Sequence, residues 1–84
     1  MTPMNPHLMQ TLAEMKSGDE AHLVDHTYGR GEFSRMASFG LTPGVSVRMV
    51  QNYGSGPIII HVRGSQVALG RKQASRIWVE RDHA

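Results

Sequence analysis

The sequence predicts a small all-β domain, a closed barrel of about five short strands with one short helix after the first strand and another at the amino end. Three observations carry that reading. Segments of alternating apolar and polar residues recur at short intervals, as in Val45–Val50 and Ile58–Arg63, the two-residue period of half-buried strands. Glycine and proline punctuate the chain between them, leaving little room for long helices. With so few residues, closing the sheet on itself is the economical way to avoid two exposed edges.

The elements follow in order. Asn5 and Pro6 read as the N-cap and first position of a helix over 6–16, with Leu8, Met9, Leu12 and Met15 as its apolar stripe and Gly18 as its stop. Before it, Thr2–Asn5 forms an extended arm, since each proline biases the residue before it away from helix. The arm is expected to dock on the barrel or on a neighbouring copy. Glu20–Thr27 has strand composition, and the adjacent Leu23 and Val24 interrupt alternation and predict a bulge. Tyr28–Gly31 is a loop, and Phe33, Met36 and Ala37 recur at helical spacing over 32–39.

The stretch Ser34–Val45 organises the rest. Gly40 is suited to the left-handed residue that ends a helix, which brings Leu41 back onto Met36. Pro43 and Gly44 then supply the second and third positions of a type II turn. Strands over 45–50, 58–63, 67–69 and 77–79 complete the barrel, with Gly64-Ser65 as a two-residue type II′ hairpin loop and Arg71–Ala74 as one helical turn. The expected organisation is an arm and the start of the leading helix over 1–11, the barrel over 12–80 and a charged tail over 81–84.

Composition narrows the function. There are no cysteines among 84 residues, which removes disulfides, Cys-rich zinc sites and thiol catalysis. No apolar run approaches the about 20 residues of a membrane span, and the amino end lacks a secretory pattern, so a soluble cytoplasmic protein is expected. Nine Lys and Arg against seven Asp and Glu is too small an excess to imply nucleic acid.

In order and spacing, Arg35-Met36, Phe39-Gly40-Leu41, Pro43-Gly44, Gly56-Pro57-Ile58, Val67–Arg71, Ala74 and Ile77–Val79, together with Leu12, Met15, Gly18, Ala21 and Leu23, resemble the FeoA family, the small cytoplasmic component of bacterial ferrous iron transport. The resemblance spans about 12–80. It implies an SH3-like β-barrel and an accessory or regulatory role toward the membrane permease FeoB through its cytoplasmic domain, without membrane insertion. The same module is similar to the carboxyl-terminal domain of repressors of the diphtheria toxin repressor type. His26 departs from the pattern, standing where the family has an aliphatic residue, and the leading helical stripe is longer than the family's.

Each candidate site has a plainer reading beside it. The five histidines invite a metal site, but His22 and His26 lie about 13 Å apart along a strand at about 3.3 Å per residue and cannot chelate together. His22 with His61 across strands is the other arrangement considered. No cofactor is expected, a divalent transition metal ion on histidine being the weaker alternative to solvent-facing or hydrogen-bonded rings. Gly29-Arg30-Gly31 imitates a phosphate loop but lacks the third glycine, Ser34 standing there. No nucleophile–base–acid pattern is present, so no enzyme is expected. On the family motif, Arg35, Met36 and Phe39 are the expected partner-binding residues; the plainer alternative is that Met36 and Phe39 plug the barrel. The six methionines fit packing roles, and a homo-oligomer is compatible with the size. The rival function is a nucleic-acid-binding small barrel using Arg48, His61 and Arg63, for which stacking aromatics are scarce.

Overall fold

The computed structural model describes residues 8–26 and 30–82. Six strands form one antiparallel sheet: β1 (Met9–Thr11), β2 (Glu20–His26), β3 (Ser46–Gln51), β4 (Ile58–Val62), β5 (Ser65–Leu69) and β6 (Ile77–Arg81). Helix α1 (Arg30–Ser38) connects β2 to β3, and the short α2 (Arg71–Ala74) connects β5 to β6. The strand order is β1-β6-β2-β3-β4-β5.

Strand period decides the two faces. In β4, Ile58, Ile60 and Val62 are buried while Ile59 and His61 face outward, and in β3, Val47 and Met49 turn inward between exposed Ser46, Arg48 and Val50. Ala21, Leu23, Leu69, Ile77 and Val79 complete the strand contribution to one core. Leu12, Met15, Met36, Leu41 and Ala74 reach that core from outside the strands.

Two expectations change at this level. The expected barrel does not close: no pairing joins β1 to β5 among the described residues. β1 is only three residues long, and the helices and turns supply buried side chains in place of a continuous ring of strands. The leading helix is also replaced. Residues 9–11 pair with β6 in the register Met9↔Glu80, Gln10↔Val79 and Thr11↔Trp78, and Leu12–Glu14 make a 3-10 turn. The Glu14 carboxylate accepts from the Thr11 amide at 3.2 Å and from its hydroxyl at 2.9 Å, a capping arrangement that holds Thr11 extended. The apolar stripe fits either structure, and the ladder with β6 satisfies the backbone over 9–11 where an isolated short helix is marginal. The arm Thr2–Asn5 and the N-cap assigned to Asn5-Pro6 lie outside the described residues.

The turn chemistry at the end of α1 and before β3 is as expected. At the end of α1 the Leu41 amide donates to the Met36 carbonyl at 3.1 Å and the Gly40 amide to that of Ala37 at 2.9 Å, with Gly40 at φ +87°. This is the paired bonding of a Schellman end. Gly44 has φ +90° and the Val45 amide closes on the Thr42 carbonyl at 3.1 Å, the type II turn. The bulge falls between Leu23 and Asp25, and beyond it His26 stands opposite Ile77. A second irregularity lies between Met49 and Gln51. The hairpin differs: Val62 pairs with Ser65, so the loop residues are Arg63 and Gly64, at φ +51° and +80°. Two positive values define a type I′ turn, not the type II′ expected. The charged tail begins inside the fold, since Arg81 belongs to β6 and the Asp82 amide donates to the Glu20 carbonyl at 3.1 Å. No helix of the described residues is long and apolar enough to cross a membrane.

Candidate partner-binding surface

Helix α1 separates the three expected contact residues by what each one faces. Arg35 and Phe39 are four apart and share one side; both are exposed, Phe39 to 41%. Met36 is 2% exposed and lies in the core. It fixes the helix to the sheet while its neighbours point outward. The Schellman end places Phe39 at the last position before the chain reverses at Gly40.

A second cation joins them. Arg63, exposed in the β4–β5 turn, lays its side chain across Gly40 and directs Nε at the Gly40 carbonyl, 3.4 Å away. A Cβ on Gly40 would stand 2.7 Å from Arg63 Cδ, so glycine permits both the helix stop and this approach. The sequence placed Arg63 only at the end of a strand and in the rival nucleic-acid surface. Its place in the two-residue turn before Gly64 was open to sequence reading, whereas its approach to Gly40 is a tertiary contact.

The outer face of the sheet carries a different set. His22 bridges two carboxylates: Nε2 is 3.0 Å from Glu80 Oε1 and Nδ1 is 3.1 Å from Asp82 Oδ1. Only the doubly protonated ring donates to both at once. The carboxylates sit on opposite edges of the imidazole, so the three groups cannot close on one metal ion. The His22–His61 arrangement is not formed either, because β3 lies between, with Ser46 opposite His22 and Arg48 opposite His61. Among the described residues no group of three or more His, Asp or Glu could hold a metal ion.

Beside this bridge an open groove of about 200 Å³ is lined by Glu20, Ser46, Val47, Arg48, His61 and Asp82. Its two carboxylates share the space with Arg48, whereas a phosphate backbone calls for a face of one sign. Gly31 and Ser34 lie within α1, so a phosphate loop does not precede that helix; Gly29 is outside the described residues.

The family model described as the FeoA domain matches residues 10–81. The chain belongs to the FeoA family. A Methanocaldococcus jannaschii candidate Fe(2+) transport protein A is 36% identical over 72 residues, covering 86% of this chain and 87% of that one. The crystal structure of an iron uptake regulatory protein, FeoA, superposes with a TM-score of 0.83 at 34% identity, over 87% of this chain and 97% of the other. A manganese-dependent transcriptional repressor matches with a TM-score of 0.80 at 22% identity, over 95% of this chain but 44% of the repressor, and that likeness concerns the fold. The SH3-like architecture expected from the sequence is therefore shared by FeoA chains and by a domain of metal-dependent repressors, and a role in ferrous iron uptake is supported.

Proposed function

We propose that this FeoA chain is an accessory or regulatory protein of ferrous iron uptake that works in the cytoplasm by contacting the cytoplasmic domain of the permease FeoB. In this reading it has no chemistry and no cofactor of its own. The contact surface is Arg35 on α1 and Phe39 just past its end, with Arg63 at Gly40.

The observation that carries the reading is Phe39, left 41% exposed at the end of a helix whose next-turn neighbour Met36 is buried. A large aromatic kept in water, four residues after the exposed Arg35 and next in the chain to the Gly40 that Arg63 approaches, has the make-up of an interface anchor. Met36 serves the surface indirectly, by holding α1 in place.

The test is the affinity for the FeoB cytoplasmic domain, with and without guanine nucleotide, of Arg35→Asp and Phe39→Ala chains whose circular dichroism matches the parent. A loss of about tenfold or more is expected for each. Undiminished binding by both folded variants rejects the surface. Met36→Asp is unsuitable, because it buries a charge and unfolds the domain.

A further inference from the structure

The free edge of the sheet at β5 has a hydrogen-bonding pattern that matches a second copy of itself. The two-residue loop makes the pair next to it, Val62 and Ser65, a hydrogen-bonded pair. Alternation then assigns Ile60 with Val67, and Ile58 with Leu69, to bonded pairs as well. His61 with Gln66, and Ile59 with Ala68, are the intervening non-bonded pairs. The amide and carbonyl of both Gln66 and Ala68 consequently point away from β4. Among the described residues no strand lies on that side, and no backbone bond ties Gln66 or Ala68 to another element.

Edges of this kind are normally shielded by charge, proline, a bulge or shortness. The other edge, β1, is protected by its three-residue length. β5 has none of these: its sequence Ser-Gln-Val-Ala-Leu carries no charge and no proline, its pairing with β4 is regular over five residues, and Gln66 and Ala68 are exposed.

From this we infer that β5 pairs antiparallel with β5 of a second copy about a two-fold axis at Val67. That register sets Gln66 opposite Ala68 of the other copy and Ala68 opposite its Gln66, so the two outward-pointing residues of each chain exchange main-chain bonds, four in all. Val67, partly buried against the core, meets its own symmetry mate in the non-bonded position between them. The paired residues Ser65–Leu69 are neutral, and the register brings Arg63 of each copy opposite Arg71 of the other only at the flanks. Arg63 and Arg71 at the flanks are drawn to their own chain, Arg63 to the Gly40 carbonyl and Arg71 to the Asn52 side chain. An isologous contact of this type closes with two copies. It leaves α1 with its exposed Arg35, and Phe39 just past the helix, outside the paired strands, with only Arg63 of the proposed contact surface at their flank; the oligomeric state is read without the permease, so its outcome is scored independently of permease binding.

Sedimentation equilibrium on the whole chain, at concentrations up to about 1 mM, is expected to give a mass rising from 9.3 kDa toward twice that value. Ala68→Pro removes an edge amide without touching a bond to β4, and is expected to abolish the rise while leaving the circular dichroism intact. The register is tested by two double variants at exposed positions. Gln66→Lys with Ala68→Lys places like charges face to face and is expected to weaken association about tenfold or more, whereas Gln66→Lys with Ala68→Glu places opposite charges face to face and is expected to strengthen it. A parent chain that stays monomeric at the highest concentration overturns the inference. So does a dimer indifferent to Ala68→Pro and to both double variants.

Discussion

Asn52 sits in a segment whose composition announces only a loop, yet its side chain ties four parts of the chain together. Its Nδ2 donates to the carbonyls of Ala13 at 2.9 Å and Met15 at 2.7 Å, and its Oδ1 accepts from the Gly54 amide at 3.1 Å and from Arg71 Nη2. Its own amide donates to Ser17 Oγ at 3.1 Å. The partners fix the orientation of the carboxamide, since a flip would set oxygen against two carbonyls. Asn52→Ala leaves those carbonyls and the guanidinium short of partners and is expected to cost about 2–3 kcal/mol, read as a lower midpoint in urea. Asn52→Asp is expected to do no better: it retains the acceptor for Arg71 but turns a carboxylate toward the Ala13 and Met15 carbonyls.

Among elements, the β4–β5 hairpin shows how a conformational cost is placed. Arg63 adopts φ +51°, a region that costs a residue with a Cβ roughly 1–2 kcal/mol, so this turn position is not optimised for stability. Arg63→Asn creates the Asn-Gly pair preferred in type I′ turns and is expected to raise stability by about 0.5–1 kcal/mol in thermal unfolding. The same change is expected to weaken permease binding, because the guanidinium at the Gly40 carbonyl, part of the proposed contact surface, is lost. A more stable chain that binds less tightly is the combined signature, and equal binding would separate Arg63 from the contact surface.

The elements were legible where local chemistry decides them. Gly40 with Leu41, and Pro43 with Gly44, specify their bonds within a few residues, and the alternation of β3 and β4 reports which side chains enter the core. The leading segment was misread because Leu8, Met9, Leu12 and Met15 suit a helix as well as a strand followed by a turn, and the deciding partner, β6, is about 70 residues away along the chain. The hairpin was misplaced by one residue because either Gly64-Ser65 or Arg63-Gly64 can form a two-residue loop, and cross-strand register selects between them. Of the proposed contact surface, the i, i+4 spacing of Arg35 and Phe39 was visible. The burial of Met36 and the approach of Arg63 depend on tertiary packing, which the sequence does not display locally.

For the whole molecule, one small core sets the margin. A domain of this size is expected near the low end of about 5–15 kcal/mol. Ile60 is fully buried on a central strand, and Ile60→Ala is expected to remove about 2–5 kcal/mol, a large part of the total. Fluorescence of the single tryptophan, Trp78 on β6, reports the transition, and a loss below about 1 kcal/mol would show that the site collapses around the smaller residue.

The place of β6 between β1 and β2 bears on how such a chain acquires its shape. While it emerges from the ribosome, the two earliest strands have no common neighbour until the last of the six has been synthesised. β2, β3 and β4 can zip sequentially, but β1 waits. Such long-range closure slows folding relative to local helical packing, and it leaves the nascent hairpins reliant on the completed polypeptide before the hydrophobic interior is sealed.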